Sequence, residues 1–554
     1  MKRPNAIVIG KCFAKLLHVL YTDELLLLIG AGAGGVATAA RLALKGFTVT
    51  VVEKNGFIGG RCSLIKEDGY RFDQGPSLLL MPELFEQTFL DLNTSLEAEG
   101  VKLLKCEPNY RIWFGDHDSV ELSTDMVKMK GEIEHHEGKE GFRRFLLFMK
   151  ESGQHYDLSM AHVLSKDFPS LSSMLRPNFL MSALVLHPFV SIYSRARKYF
   201  LSEKMRRAFT FTSMYLGMSP FDAPGTYSLL QYTELAHGIW YPEGGFQVVL
   251  EALAGIGKRL GVEYRLNAPV SSIKLSDDSK SAKGVVLASG EVLTADTVVV
   301  NADLVYAYNE LLPSSSFAES LKKRSASCSS ISFFWSFDCI IPELQTHNVF
   351  LADDYRESFD SIFKDHGMPR EQSFYVNVPS RIDPTAAPPD KDAVVVLIPV
   401  GHLVEDGIWA AGSDLIISKA REAVFDTIES RTGVRNLREH LISEKIETPF
   451  SWKEKFNLDK GAILGLSHSF FNVLSFRPKS QHAKIRGLYF VGASTHPGTG
   501  VPICLAGSKI VSQQICQQQE TEKRMGWSWP VYGSWIVASI FLASLVWCLK
   551  FSAV

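Results

Sequence analysis

Apolar positions along the chain change their period several times, and each change predicts an element. "LLLLIG" (Leu25 to Gly30) is a short apolar run closed by glycine, which predicts a buried strand. "VATAARLALKG" then places Val36, Ala39, Ala40, Ala43 and Leu44 on one helical stripe, and "FTVTVVEKN" reads as a second strand ending at Glu53. The far end repeats the pattern: Leu488 to Val491 reads as a strand, "THPGTGVP" as a tight loop, and Leu505 to Ile515 as a helix. Between them, the doublet Gly244-Gly245 precedes an amphipathic helix, and "TADTVVVNADL" gives a strand running into Asn301-Ala302-Asp303. Strands alternating with helices predict an α/β chain.

The first strand is written twice. "AIVIG" (Ala6 to Gly10) is another apolar run ending in glycine, but only Leu25 to Gly30 continues into a glycine-rich turn. Removing residues 11–30 leaves "MKRPNAIVIGAGAGG", with one strand and one turn. Gly10-Lys11-Cys12 can be encoded with the splice donor GTAAGT, and Ile29-Gly30 with an acceptor AG, so 11–30 is read as a translated retained intron. The alternative is an amphipathic helix with Phe13, Leu16, Leu17 and Leu20 on one face. A secretory signal is disfavoured by the charged "YTDE" and the lack of a small-residue cleavage site.

At the other terminus, Val531 to Leu549 is a run of 19 residues without a charge. At about 1.5 Å per residue it nearly spans a hydrocarbon core of about 30 Å. Trp527, Trp529, Tyr532 and Trp535 crowd one end and Trp547 the other, as in an interfacial belt. The expectation is a single-pass C-terminal transmembrane anchor at 531–549 in a membrane protein whose body is cytosolic. Eight scattered cysteines without a CxxC pair fit that reducing compartment. A net charge of -2 among 554 residues supplies no field for nucleic acid, and none is expected as a partner.

The turn Gly30-Ala31-Gly32-Ala33-Gly34-Gly35 fits G-x-G-x-x-G between strand and helix, with Glu53 18 residues beyond Gly35. Gly30 permits the turn, Gly32 admits a pyrophosphate to the backbone, and Gly35 lets helix meet strand. The helix N-terminus offers amides and positive dipole to phosphate, and Glu53 can accept from ribose hydroxyls. This is a dinucleotide signature. It is followed by "FIGGRC" (Gly59, Gly60, Arg61) and "GYRFDQGPS" (Asp73, Pro76, Ser77). That order resembles the flavoprotein superfamily of amine oxidases and carotenoid desaturases, which implies FAD where spacing alone leaves NAD open.

"RGLYFVGASTHPGTGVPICLAGSKIVSQQI" (residues 486–515) resembles the signature of the bacterial and fungal phytoene desaturases at Gly492, Ala493, Ser494, Thr495, His496, Pro497, Gly498, Gly500, Val501 and Gly507. The resemblance runs in family order over 25–515. It implies a Rossmann-like, discontinuous FAD-binding domain (25–75, 235–305 and 480–520) and an α+β substrate and membrane-docking domain (76–234 and 306–479). It implies cofactor contacts from Gly30, Gly32, Gly35, Glu53, Lys54, Gly60, Arg61, Pro76, Ser77, Val270, Asn301, Gly492, Gly500, Val501 and Pro502. The implied reaction is FAD-dependent desaturation of phytoene to lycopene or a more desaturated product, with oxygen or a quinone as electron acceptor. Within the fold, a carotenoid or retinoid saturase or isomerase is the rival; from another class, a prenyl-lipid-binding escort protein without redox activity.

A C40 hydrocarbon has no polar handle, so its binding rests on apolar burial, roughly 25 cal/mol per Å². The 35 phenylalanines are enough to line a tunnel. Leu175 to Tyr193, apolar and broken by proline, precedes the basic residues Arg195, Arg197, Lys198, Lys204, Arg206 and Arg207. Docking on lipid, with the polyene substrate entering from the bilayer, is one reading; an ordinary core helix with a solvated face is the other. No catalytic base is assigned: Asp73 and His496 read as structural hydrogen-bonders. His135 and His136 in "EIEHHEGKEG" read as a solvated loop, and no metal is expected. Whether the chain forms a homo-oligomer is open.

Overall fold

The structure, a computed structural model, describes residues 24–405, 407–411 and 413–522. The first written strand (6–10), most of the segment read as a retained intron (11–30) and the anchor (531–549) lie outside the described residues. No helix among the described residues is long and apolar enough to cross a membrane.

Leu25–Ile29 is the central strand of a five-stranded parallel sheet, paired on one side with Thr297–Val300 and on the other with Thr48–Val52. Leu488–Phe490 and Glu263–Arg265 form its edges. Leu26, Leu27 and Leu28 are buried, as expected for a parallel strand covered on both faces. Each such side chain contributes roughly 1.5–3 kcal/mol. One face carries the helix Ala33–Leu44, itself packed on Gln247–Arg259. Its alanines and glycines let it lie close to the sheet. A three-stranded antiparallel sheet (Val270–Leu275, Ala282–Leu287, Val292–Thr294) packs on the other face.

A second, seven-stranded mixed sheet is assembled from Tyr110–Trp113, Ser119–Leu122, His347–Phe350, Phe374–Asn377, Asp392–Val400, Ser329–Phe337 and Leu441–Glu447. All nine residues of Ser329–Phe337 are buried, which suits a strand enclosed on both faces. Helices Met126–Glu137, Lys139–Ser159 and Glu203–Ala208 gather beside this sheet, and Pro177–Leu186 packs on Lys139–Ser159. Chain segments from both sheets border one cavity.

Two sequence readings change here. His135 and His136 do not lie in a loop; they end the helix Met126–Glu137, and Asp125 caps its start through its side chain. Their ring centroids are 4.7 Å apart, and with Asp118 they bring ligand-type atoms within 4.8 Å of one another. Lys204 Nζ lies 2.6 Å from both Asp116 and Asp118, so an ammonium already holds the carboxylate a metal would need. The six-residue basic cluster is also divided by folding. Arg195 pairs with Glu151, Lys204 with the two aspartates and Arg206 with Glu203, while Arg207 donates to the Ala352 carbonyl at 2.9 Å. Arg197 and Lys198 remain exposed.

Candidate active site

The G-x-G-x-x-G turn forms because two of its glycines meet backbone. Gly30 has φ +95°, a left-handed conformation that costs a side chain, and a Cβ on Gly35 would sit 2.2 Å from the Gly30 carbonyl oxygen. Gly32 caps the helix without a side chain to offer, so first-turn amides are left for a ligand. Glu53 holds the turn: Oε2 accepts from Ala31 N at 2.7 Å, and Oε1 accepts from Asn55 N at 2.8 Å. The second glycine turn docks directly on the first, Gly59 N donating to the Ala31 carbonyl at 2.9 Å.

Asn301 joins the two ends of the chain. Its Oδ1 accepts from Gly35 N at 3.0 Å, and its Nδ2 donates to the Val491 carbonyl at 2.8 Å. The N-terminal fingerprint and the segment from Gly492 to Pro502 therefore face one space, a cavity of about 980 Å³. Gly30, Gly32, Glu53, Lys54, Gly60, Arg61, Pro76, Ser77, Val270, Asn301, Gly492, Gly500, Val501 and Pro502 all border it; Gly35 stands behind, at the helix–strand contact. Lys54 reaches the border, but its ammonium bridges to the Glu454 carbonyl and to Asn457 Oδ1 at 2.9 Å. Asp73 and His496 take structural partners. Asp73 accepts from Tyr241 at 2.6 Å and Phe246 N at 2.7 Å, and His496 Nε2 lies 2.7 Å from the Lys166 carbonyl.

The residues fit an adenine dinucleotide. The Arg61 guanidinium lines the cavity without a hydrogen bond or ion pair to any described residue, as a cation awaiting an anion would. The glycines beside it leave the backbone amides approachable, and a helix at 501–522 begins at the opposite wall.

Sequence reasoning missed several residues because they carry no motif. Arg477 is wholly buried, donating to the carbonyls of Thr495 (3.0 Å), Ser467 (3.2 Å) and Asn472 (2.6 Å), and so fixes the loop of the C-terminal signature. Burial pushes its guanidinium down to about 10. Tyr215, Tyr227, Tyr375 and His468 bring polar atoms to a wall otherwise built from Leu175, Phe179, Leu186, Leu229, Leu464 and Phe470. Their positions depend on how distant segments pack.

Residues 33–401 match the family model described as flavin containing amine oxidoreductase. Phytoene desaturase of Fusarium fujikuroi is 61% identical over 505 residues, covering 88% of each chain. That of Neurospora crassa is 56% identical, covering 89% of this chain and 84% of that protein. The chain belongs to the phytoene desaturases of the flavin-containing amine oxidoreductase family. It is therefore an FAD-dependent oxidoreductase. A zeta-carotene-forming phytoene desaturase of Myxococcus xanthus is 38% identical, over 88% of this chain and 93% of that one. Among solved structures, an oxidoreductase from Methanosarcina mazei superposes with TM-score 0.61 at 16% identity, covering 88% of this chain and all of that one. Putrescine oxidase bound to putrescine gives 0.59 at 14% identity, covering 90% and 99%. These structures share the fold.

Proposed function

We propose that this FAD-dependent oxidoreductase desaturates phytoene, a C40 hydrocarbon, to lycopene or a more desaturated polyene in carotenoid biosynthesis. The observation that carries the reading is one continuous cavity with two kinds of wall. A glycine and arginine cradle at one end passes into an apolar chamber lined by Met174, Leu175, Phe179, Leu180, Leu186 and Phe189. The high identity to fungal phytoene desaturases supports the same substrate class.

FAD, when bound, supplies the acceptor for the hydride that desaturation removes. The chain does the rest. The fifteen residues that the family resemblance picked out would hold or shape the cofactor, Arg61 at the pyrophosphate and Glu53 at the ribose. The parallel-sheet segments (25–75, 235–305, 480–520) would form the cofactor domain, and 76–234 with 306–479 the substrate domain. Apolar side chains align the polyene and keep out water, since an extended C40 chain gains by shedding hydration along its length.

The mouth of the chamber supports entry from a bilayer. Leu171, Leu175, Met181, Leu184 and Phe189 are each more than 60% exposed, and of these Leu175 and Phe189 also line the cavity. An apolar surface continuous with an apolar chamber suits lipid contact. We assign the membrane attachment to this surface together with a single-pass anchor at 531–549, the catalytic body on the cytosolic side, and oxygen or a membrane quinone as electron acceptor.

Expression of the full chain in a phytoene-accumulating host tests the reading. Coloured polyenes should replace phytoene. Phytoene left unchanged, with a double bond lost from retinol supplied to the same protein, would replace the desaturase reading by a saturase.

A further inference from the structure

We propose that Tyr215, Tyr110 and Glu234 form a directional relay that takes up the proton released on desaturation, an inference that rests on the desaturase reading above. Glu234 lies wholly buried on the π-helical turn Thr233–His237, a geometry frequent at functional sites. Asn109 Nδ2 pins its backbone carbonyl at 2.6 Å. Glu234 Oε1 accepts from the Tyr110 hydroxyl at 3.0 Å, and Oε2 has no partner among the described residues. A phenol carries one proton, and Tyr110 donates it to Glu234. The hydrogen bond between Tyr110 and Tyr215 must then have Tyr215 as its donor. With Glu234 ionised, the order Tyr215 to Tyr110 to Glu234 follows from proton count, and Tyr215 borders the cavity.

A hydrocarbon cannot use this polar group for binding. A buried carboxylate oxygen left without a partner costs about 1–3 kcal/mol or more, so its presence at the end of a chain of hydroxyls needs a reason. Proton uptake supplies one. The neighbouring groups are each engaged through one polar atom, though His468 Nδ1 and His347 Nε2 also lack partners among the described residues. His468 Nε2 accepts from Thr499 N at 3.1 Å. The Tyr375 hydroxyl lies 2.7 Å from both Ser77 Oγ and His347 Nδ1, an imidazole that burial holds down at about 3. Glu53 accepts backbone amides with both oxygens.

One substrate C–H breaks heterolytically and its electron pair becomes the new π bond; FAD, when bound, would supply the acceptor for the hydride lost from the adjacent carbon. The proton moves to Tyr215 Oη, the Tyr215 proton to Tyr110, and the Tyr110 proton to Glu234 Oε1. Both phenols are restored and the carboxylate becomes a carboxylic acid. Burial pushes the Glu234 carboxyl up to about 8, which suits a base working near neutral pH. The titratable groups around it are the phenols of Tyr110 and Tyr215, with Tyr375 and His347 beyond. Burial holds each of these neutral.

The test uses the full FAD-loaded protein and phytoene in liposomes. Wild-type kcat should rise as pH passes about 8. Glu234→Gln should lose about 100-fold or more in kcat, with KM changed less than about threefold and the rise near pH 8 abolished, as general base catalysis is worth about 10²–10⁴. Glu234→Asp should restore part of the rate. Tyr215→Phe, which breaks the chain at the cavity and leaves the carboxyl intact, should lose rate similarly and decides the matter if Glu234→Gln does not fold. Independently of turnover, infrared spectra of substrate-free wild type should show a buried carboxylic acid carbonyl band that disappears as pH rises through about 8 and is missing in Glu234→Gln. Wild-type rates and pH profile in both foldable variants, or no titrating band, would overturn the relay. A wild-type protein inactive on phytoene would instead overturn the desaturase reading, leaving the infrared titration to decide the chain of groups.

Discussion

The cavity wall at Gly30–Gly34, Gly60 and Gly492–Pro502 is mostly backbone, whereas the wall at 174–189, 214–230 and 463–474 is mostly apolar side chain. At the first wall, polar groups are placed by short turns whose shape is set within a few residues. At the second, the surface comes from separate segments that meet only through packing, and one of its few polar groups, Tyr215, connects to Tyr110 and Glu234 behind it. The difference follows from the ligands. A dinucleotide offers charges and hydroxyls that backbone amides can hold at fixed positions; a polyene offers only surface. A backbone wall should tolerate substitution poorly at single points. A side-chain wall should give way gradually, except where it encloses a polar group.

The largest effect is expected at the backbone wall. Gly35→Val places a branched side chain against the Gly30 carbonyl, where even a Cβ would come to 2.2 Å. Purified protein should lack flavin absorbance and lose several kcal/mol, about 3 or more, in denaturant titration, the range of severe backbone clashes. Full flavin content would show that the two walls do not differ as argued.

Glu234 gives the next effect, now as pH dependence of stability. Its folded pKa, about 8, lies above its ordinary 4.5. The unfolded chain releases the proton first, so this contribution is full below 4.5 and is lost as pH rises through about 8. Wild type should therefore lose stability between about pH 5 and about pH 8 in urea titrations, with a shallower fall in Glu234→Gln. Parallel curves would remove Glu234 as the titrating group.

Asn301→Ala removes the link between the two glycine segments and leaves the Val491 carbonyl without its partner. A loss of about 1–3 kcal/mol is expected, read as weaker FAD retention on dilution. An unchanged dissociation constant would mean that the strands alone hold the segments together.

The smallest effects belong to the outer rim. Leu184→Asp with Phe189→Asp should reduce binding of an anchor-deleted chain to vesicles while flavin content stays constant, since these side chains are 74% and 79% exposed. Arg197→Gln with Lys198→Gln should lower affinity for anionic vesicles by about 2 kcal/mol at most, near 1 per residue. Equal binding to neutral and anionic vesicles in wild type would assign the docking to apolar contact alone.

Much of the cofactor wall was legible because its chemistry is local. G-x-G-x-x-G, Glu53 and the 492–502 run state their roles within a few residues, and Asp73 and His496 meet the structural partners expected of them. How the basic run after Tyr193 is divided was not legible, because carboxylates of Glu151, Asp116 and Asp118, distant in the sequence, pair with two of its six residues, Arg195 and Lys204. His135 and His136 misled for a related reason. An Asp125 cap and packing by Met129 and Ile133 extend a helix through residues whose polarity reads as a loop.

By itself, the sequence determined the strand–turn–helix units and the two glycine segments, since glycine placement and hydrophobic period act over short distances; it pointed to FAD rather than NAD only through the family resemblance. Only the tertiary structure decided that Asn301 would bind both ends of the chain, that Arg61 would stay unpaired, and that Glu234 would be sealed beneath two phenols. Those outcomes depend on which side chains are brought within hydrogen-bonding reach after burial removes water as a competitor, and no short stretch of the sequence encodes that.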